Sequence, residues 1–184
     1  RALQNNPGMI NNVDYIAVTT GPGLAIDLEV GIKYAKELAL RYNKPFVPVN
    51  HMEGHMFSSL LLNSKGNGLV SNEQLIDSFP ALALLMSGKH TEIIYIKEIG
   101  KYKKLGQTLD DAAGEAFDKV GRILNFGYPG GPVVSEFAKK GKSGNIVFTT
   151  PMKNSKDLNF SYSGIKTAAL YKAKELREKG IPER

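Results

Sequence analysis

The stretch VDYIAVTTGPGL at residues 13–24 is the part of the sequence that most strongly indicates the fold. Its first eight residues are rich in β-branched and aromatic side chains and stop at Gly-Pro-Gly, a pattern typical of a strand that ends in a turn. A helical pattern follows over 24–42, and residues 45–49 have the pattern of a short buried strand. Strand, helix and strand at this spacing predict a βαβ unit and therefore an α/β protein.

Further along the chain, the pattern changes from helix to hairpin. A second helix is predicted over 51–62, and residues 63–72 have the composition of a loop, which makes them the best candidate for a connection between two lobes. After this loop, the sequence predicts three strands of an antiparallel meander. These strands are expected at 80–88, 91–97 and 102–105.

Three further helices are predicted in the second half of the chain. The first is capped by Asp110 or its neighbour and runs to about Leu124. Its apolar side is expected to carry Ala113, Phe117, Val120 and Leu124. Pro129-Gly130-Gly131-Pro132 breaks the chain before a short helix, and a last helix runs from about Ser163 toward Lys179.

Composition excludes several classes of protein. Apolar residues make up 42% and charged residues 23% of the 184 residues, as in an ordinary globular protein. There is no cysteine, which excludes disulfides, thiolate catalysis and metal sites built on sulfur. No apolar run is long enough for a membrane helix, and no signal or transit peptide opens the chain. Because the chain starts at Arg1 rather than Met, we expect it to be part of a longer protein.

Basic residues are concentrated in the last quarter of the chain. The 24 Lys and Arg exceed the 18 Asp and Glu by six, and residues 139–184 carry 11 basic and 4 acidic side chains. Clustered lysines can bind the phosphates of a nucleic acid, but lysine-rich surface helices are also common. Both interpretations stay open at this point.

The pentapeptide His51-Met52-Glu53-Gly54-His55 places two imidazoles at i and i+4 on a predicted helix. Side chains at this spacing lie on one face and can reach one divalent ion, although two ligands alone do not make a stable site. A metallopeptidase helix needs its glutamate base directly after the first histidine, where Met52 stands here. The spacing therefore indicates either a metal site completed elsewhere or a histidine pair without metal, and it disfavours a peptidase.

Two glycine-containing turns are candidate phosphate sites. Gly21-Pro22-Gly23 lies between a strand and a helix, where backbone N–H groups can bind an anion, and a plain turn is the alternative. Residues 85–91 are the second candidate, because an apolar strand there ends in a hairpin that carries a hydroxyl, a cation and an imidazole. Such hairpins hold phosphates in two-lobed nucleotide-binding folds, but many have no ligand.

A third candidate region combines carboxylates with a glycine turn. Asp111, Glu115 and Asp118 recur at i, i+4 and i+7, so that one helix face carries three carboxylates opposite its apolar side. These groups can accept hydrogen bonds from ribose hydroxyls, or they form a solvated helix start. The Gly130-Gly131 turn allows a flat ligand to approach the backbone, or is simply a turn.

Taken in order, six motifs closely resemble the TsaD family, the tRNA threonylcarbamoyladenosine transferases once named O-sialoglycoprotein endopeptidases. The fourth of these motifs resembles the form found in the bacterial and organellar branch of the family. The motifs are VTTGPGL at 18–24, VNHMEGH at 49–55, SGKHT at 87–91, LDDAAGEAFDKV at 109–120, YPGGP at 128–132 and FSYSGIKT at 160–167.

The resemblance implies an actin-like (ASKHA, ribonuclease H-like) fold with two lobes, incomplete at both ends. Residues 1–78 are then part of the N-terminal lobe and 79–184 part of the C-terminal lobe. The implied reaction transfers a threonylcarbamoyl group from threonylcarbamoyl-AMP to the exocyclic amine of the adenosine 3′ of the anticodon, in tRNAs that read codons beginning with A. The mixed anhydride has a good leaving group, so this metal-dependent acyl transfer needs no protein nucleophile.

The resemblance also implies roles for individual residues. His51 and His55 are expected to bind one divalent ion, iron or zinc, incompletely liganded in this chain. The intermediate is expected to contact Leu85, Met86, Ser87, Gly88, Lys89, Asp118 and Gly131. Further phosphate or intermediate contacts are expected at Gly21, Pro22, Gly23, His90, Glu115 and Gly130.

The chain departs from the family pattern in three respects. Lys89 stands where the usual Ser-Gly-Gly-His-Thr has its second glycine, so it either clashes with the intermediate or donates to it. Asp27 adds a negative charge near the Gly-Pro-Gly turn, where Ser or Ala is usual. The family's N-terminal Glu-Thr-Ser-Cys-Asp strand and its C-terminal part, with the aspartate that completes the metal site, have no counterpart in these 184 residues.

The expected partners are tRNA, with TsaB-like and TsaE-like accessory proteins in a bacterium or a homodimer in an organelle, and no membrane. The expected location is the cytoplasm of a bacterium or an organellar matrix of a eukaryote. Because the resemblance covers about the central half of a complete member, we expect this segment alone to be inactive. The alternatives are a truncated, non-catalytic homologue that acts as a binding partner and a disfavoured zinc metallopeptidase.

Overall fold

The structure, a computed structural model, describes residues 8–61, 72–142, 144 and 146–181. The chain divides into two compact units, residues 1–71 and 72–184. Each unit combines helices with a small sheet, which confirms the predicted α/β class. The assignment of 1–78 and 79–184 to two lobes concerns the complete protein and stays a prediction.

The first unit contains the predicted βαβ arrangement. Strands β1 (Ile16–Gly21) and β2 (Phe46–Asn50) pair in parallel and are connected by helix α1 (Ala25–Arg41). The predicted start of β1 at residue 13 is wrong, because residues 13–15 precede the first bond to the partner strand, from the Ile16 N–H to the Pro45 carbonyl at 2.8 Å. The buried residues of α1, Ala35 and Ala39, are small, which is consistent with close packing of the helix on the sheet.

Helix α2 (His51–Ser58) begins directly after β2 and is shorter than predicted. The hydroxyls of Ser58 and Ser59 donate to the carbonyls of His55 and Met56, a local alternative to further helix. Leu62 and the predicted loop at 63–71 lie outside the described residues. Asn72, also predicted as loop, instead begins helix α3 (Asn72–Asp77), whose six residues are too few for a recognisable helical period.

The second unit contains the predicted antiparallel meander. Its strands β3 (Ala81–Met86), β4 (Thr91–Glu98) and β5 (Lys101–Gln107) lie in the order β3-β4-β5. Strand β5 is longer than predicted because Lys101 pairs with Glu98 and Gln107 pairs with Glu92 at its two ends.

The two faces of this sheet differ in burial. Ile94 and Ile96 are buried on one face. The alternate residues of β3 that point the other way, Leu82, Leu84 and Met86, are 68%, 57% and 57% exposed. Strand β3 is entirely apolar, yet within the described sheet it lies at an edge and has one uncovered face.

Three helices follow the sheet, namely α4 (Ala113–Ile123), α5 (Gly130–Lys140) and α6 (Ser163–Glu178). The last of them confirms the predicted helix at the end of the chain. The prediction of a loop over 129–132 is wrong, because Gly130, Gly131 and Pro132 form the first turn of α5 after Pro129 as N-cap. Proline is tolerated in a first turn, where the N–H groups have no partner within the helix. None of the described helices combines the length and the apolarity needed to cross a membrane.

The predicted apolar side of α4 is only partly correct. Its buried residues are Ala113, Ala116 and Gly121, whereas Phe117 is 46% exposed. A Cβ at Gly121 would meet the Cα of Gly130 at 2.6 Å, so backbone packs directly on the small side of the helix. Burial along α4 therefore follows the small residues, where another chain segment comes close.

The prediction that Asp110 or its neighbour caps α4 is wrong, because the N-cap residue is Ala112, without a side-chain cap, and the Asp110 carboxylate caps α6 instead. It accepts hydrogen bonds from the hydroxyls of Ser161 and Ser163, both at 2.6 Å, and from the backbone N–H groups of Tyr162 and Ser163 at 2.8 and 3.3 Å. The neighbouring backbone holds the two segments together, since the Leu109 N–H donates a hydrogen bond to the Phe160 carbonyl at 2.9 Å. Asp110 thus ties the end of the meander to the last helix.

These hydrogen bonds also change the acidity of Asp110. Burial by itself raises the pKa of a carboxyl group, but the bonds from the two serine hydroxyls and the two backbone N–H groups outweigh it. The pKa of Asp110 in the folded chain is therefore well below its ordinary value.

We predict that Asp110→Ala lowers the free energy of unfolding by about 1–2 kcal/mol at pH 7, the cost of losing a helix cap. Because the folded pKa lies below the unfolded one, the stabilisation is present above about pH 4 and is lost as the pH falls from there through the folded pKa. Urea unfolding of both proteins at pH 7 and pH 3 measures this difference. Asp14→Asn, at an exposed carboxylate, is the control. A difference that stays constant between the two pH values would contradict the role of the ionised carboxylate.

Candidate functional site

The two histidines of α2 lie together, as predicted. The Asn50 side chain accepts a hydrogen bond from the Met52 N–H at 2.8 Å and caps the helix, so that His51 is its first residue. One turn later, the His55 ring meets the His51 ring edge to face, with the ring centroids 4.5 Å apart and the Nε2 atoms 3.1 Å apart. The helix start therefore brings two imidazole nitrogens to one point.

This separation fits a shared metal ion. Two nitrogens bound to a tetrahedral zinc ion at the usual bond length lie about 3.3 Å apart. The same distance also fits an N–H···N hydrogen bond between two neutral rings, the alternative that the sequence left open. Within residues 8–61, 72–142, 144 and 146–181, no cluster of three or more His, Asp or Glu side chains could hold a metal. At this point, the described residues thus place two nitrogens that could serve as metal ligands.

The Gly-Pro-Gly turn lies next to the first histidine. Because β1 and β2 are parallel, their carboxyl ends lie at the same edge of the sheet, and Gly21 pairs with Asn50 directly before His51. An open pocket at this edge is lined by Pro22, Gly23, Asp27 and His51, among others. The sequence predicted both features separately, and parallel pairing places them together within the first unit.

The hairpin between β3 and β4 is closed by its own serine. The Ser87 N–H donates to the His90 carbonyl at 2.8 Å. The Ser87 hydroxyl oxygen accepts hydrogen bonds from the N–H groups of His90 at 3.0 Å and Lys89 at 3.3 Å. The side chain that the sequence marked as a candidate ligand group therefore holds the bend in shape, and it occupies two backbone donors of the turn.

The start of α4 packs against this hairpin. The Gly114 N–H donates to the Ser87 carbonyl at 3.1 Å, and the Ala113 N–H donates to the hydroxyl of Thr91, which is fully buried, at 2.9 Å. A Cβ at Gly114 would meet the Ser87 oxygen at 2.8 Å and the Gly88 Cα at 2.9 Å. Only glycine allows this approach.

The single face of three carboxylates that the sequence predicted is not formed. Asp111 precedes the helix, and the Lys119 ammonium binds both Asp111 at 2.6 Å and Glu115 at 2.7 Å, which raises the pKa of Lys119. Lys166 of α6 adds a more distant ion pair to Asp111 at 3.6 Å. Asp111 and Glu115 are thus engaged with lysines, so Asp118 is the carboxylate of this set without an ion pair to a described residue.

Asp118 turns instead toward the start of α5. Its Oδ1 accepts a hydrogen bond from the Gly131 N–H at 3.0 Å, which joins two residues that the resemblance places at the same intermediate. Next to this bond, Gly121 and Gly130 bring the two chain segments into contact. The remaining carboxylate oxygen of Asp118 can accept hydrogen bonds from a ligand.

These contacts define one face of α4. Gly114, Asp118 and Gly121 follow each other at i, i+4 and i+7 and so lie on the same side of the helix. The hairpin lies at Gly114 and the start of α5 lies at Gly121, two turns or about 10 Å further along. We call this strip, bounded by residues 87–90 and 130–131, the α4 groove.

The structure therefore brings the predicted site residues together in two groups. In the first unit, His51 lies beside the Gly21–Gly23 turn, and His55 contacts His51. In the second unit, the hairpin, Asp118 and Gly130–Gly131 border the α4 groove. Contacts of all these residues with metal or intermediate stay predictions.

The structural roles of several residues that shape the α4 groove were missed in the sequence. Thr91, Gly114 and Gly121 act through contacts with segments more than eight residues away, which no local pattern reveals. Glycines inside a helical pattern were the available signal, because glycine weakens a helix and its presence there points to close packing.

We predict that Gly114→Ala destabilises the second unit by about 2–4 kcal/mol, because the new methyl group would overlap the hairpin backbone. The matched control is Gly164→Ala in α6, where the nearest atom to a Cβ, in the Pro151 ring, is 3.8 Å away. That substitution should leave stability unchanged or raise it by up to about 1 kcal/mol. Thermal or urea unfolding of the two variants measures both effects, and equal stabilities would contradict the contact at Gly114.

Comparison with known proteins identifies relatives over nearly the whole chain. The family model described as "TsaD: tRNA N6-adenosine threonylcarbamoyltransferase" matches residues 1–182. A protein of Dictyoglomus turgidum named tRNA N6-adenosine threonylcarbamoyltransferase is 47% identical over 180 residues, which cover 97% of this chain and 50% of the relative.

Relatives in Burkholderia have the same name and the same degree of identity to this chain. Proteins of the same name in Burkholderia ambifaria and Burkholderia vietnamiensis are each 47% identical over 165 residues, covering 90% of this chain and 44% of each relative. The chain therefore spans about half the length of the curated relatives that it matches.

Proposed function

Because this chain belongs to the family of tRNA N6-adenosine threonylcarbamoyltransferases, we propose that it is part of an enzyme that transfers a threonylcarbamoyl group from threonylcarbamoyl-AMP to tRNA. The acceptor is the exocyclic amine of the adenosine 3′ of the anticodon, in tRNAs that read codons beginning with A. The observation that carries this proposal is the match of the family model to residues 1–182. The fold proposed for the complete protein is the two-lobed, actin-like one.

In the proposed reaction, the amine nitrogen bonds to the carbamoyl carbon, the bond from that carbon to the phosphate oxygen breaks, AMP leaves, and the amine loses a proton. This chain's residues then have to bind and orient the two reactants. The α4 groove supports a nucleotide site, because Asp118 has a carboxylate oxygen for ribose hydroxyls and a Cβ at Gly88 would meet no atom within 4 Å. We assign the intermediate to this groove, in contact with residues 85–89, Asp118 and Gly131.

The imidazole pair is proposed to hold a divalent ion, iron or zinc. His51 and His55 are the ligands, and their 3.1 Å separation supports this role. A bound ion would supply Lewis-acid polarisation of the carbonyl group that is attacked. With two ligands, we expect this chain alone to bind metal weakly and to be inactive.

The proposed polymeric substrate is tRNA, and the basic last quarter of the chain supports it. Lys140, Lys142 and Lys153 are exposed and have no ion pair within the described residues. Lys139 is exposed and pairs with Glu136 at 2.5 Å. In a bacterium, we propose that the protein assembles with TsaB-like and TsaE-like proteins in the cytoplasm. In a eukaryote, we propose a homodimer in an organellar matrix.

A chimera tests the proposed function. This chain replaces the matching segment of the Dictyoglomus turgidum relative, and the chimera is expressed in cells depleted of their own enzyme. We expect N6-threonylcarbamoyladenosine to reappear in tRNA hydrolysates analysed by mass spectrometry, and the 184-residue chain alone to give none. A soluble, folded chimera that restores no modified nucleoside would favour the non-catalytic binding partner.

We predict that zinc binds this chain weakly and that His51→Ala or His55→Ala abolishes the binding. His90→Ala is the matched control, because His90 is the third histidine of the chain and lies in the other unit. Competition with a coloured chelator measures the affinity. A tight, stoichiometric complex would contradict the two-ligand site, and unchanged binding by the His51 and His55 variants would place the metal elsewhere.

We predict that replacing Lys139, Lys140, Lys142 and Lys153 by Gln weakens tRNA binding and flattens its salt dependence. Each lost phosphate contact should reduce the slope of log K against log salt by about 0.7–0.9. The matched control replaces Lys172 and Lys179, which both bind Glu175 and lower its pKa to about 2. An unchanged slope in the first variant would assign its lysines to ordinary solvated surface.

A further inference from the structure

The hairpin at the end of β3 has few backbone donors left for a ligand. The N–H groups of Lys89 and His90 both point to the Ser87 hydroxyl, and the Ser87 N–H points to the His90 carbonyl. The first two N–H groups of α4 are also engaged, by Thr91 and by the Ser87 carbonyl. At this end of the α4 groove, an anion therefore finds few free backbone donors, and a side-chain donor would add to its binding.

Lys89 provides that donor. Its side chain is exposed at the tip of the hairpin, and within the described residues it has no carboxylate partner. The backbone that carries it is fixed by the Ser87 hydroxyl and by the contact of Ser87 and Gly88 with Gly114. A Cβ at Gly88 would have no atom within 4 Å, so the hairpin surface beside Lys89 is open.

The charges along the α4 groove differ from end to end. Lys89 is the cation of the hairpin. Asp118 lies one turn along the helix from Gly114, and its carboxylate repels phosphate but accepts hydrogen bonds from hydroxyl groups. The groove then ends at the uncharged Gly130 and Gly131. A nucleoside monophosphate fits this order, with its phosphate at Lys89, its ribose at Asp118 and its base toward the glycines.

We infer that Lys89 determines the preference of the α4 groove for a nucleotide over a nucleoside, by donating a charge-assisted hydrogen bond from its ammonium to the phosphate. This inference rests on the proposed function, which places an acyl-AMP intermediate in the same groove. Lys89 acts here as a specificity-determining residue, and its backbone N–H takes no part.

The experiment compares AMP with adenosine as probes of the 184-residue chain, using titrations followed by NMR or calorimetry. We expect AMP to bind more tightly than adenosine. Lys89→Gln should weaken AMP binding by about tenfold and leave adenosine binding unchanged, because one charge-assisted bond is lost. Lys89→Arg should retain the preference for AMP, and raising the salt concentration should weaken AMP binding in the original chain more than in Lys89→Gln.

The matched control is Lys103→Gln, at another exposed lysine of the same meander without an ion pair to a described residue. This variant should keep the affinity for both probes. If Lys89→Gln keeps the preference for AMP, the role of Lys89 is overturned while the nucleotide site of the proposed function stands. If neither probe binds the original chain, the proposed nucleotide site fails in this chain and the inference fails with it.

Discussion

The close contact between the start of α4 and the hairpin at Ser87 determines the arrangement of the second unit. The N-cap residue of α4, Ala112, makes no side-chain cap. The first N–H groups of the helix donate instead to the Ser87 carbonyl and the buried Thr91 hydroxyl. This is possible because position 114 has no Cβ. Once the helix start is fixed against the sheet, the positions of Asp118 and Gly121 follow from helical geometry.

Most of the elements that depend on neighbouring residues could be predicted from the sequence. The βαβ unit could be predicted because the strand, the turn at Gly21–Gly23 and the helix each have a local pattern. The meander could be predicted for the same reason, with errors of one or two residues at strand ends. The meeting of His51 and His55 required only the four-residue spacing of a helix and a cap at Asn50.

Contacts between distant segments could not be predicted from the sequence. Asp110 stands where a cap for the next helix is expected, but it binds residues 161–163 about fifty positions later. Lys119 forms ion pairs with Asp111 and Glu115, whereas Asp118 accepts a hydrogen bond from the Gly131 N–H. In both cases the residue types were recognised correctly and the partner was not, because the choice among several hydrogen-bonding groups depends on the tertiary fold.

The uncovered apolar residues of β3 have a practical consequence for the isolated chain. A strand at a sheet edge presents unpaired backbone donors and acceptors. Beside this edge, the exposed apolar side chains of β3 are Leu82, Leu84 and Met86. Extended segments of other molecules can add to such an edge, and no charge within β3 opposes them. At high concentration, the isolated chain is therefore expected to aggregate through β3.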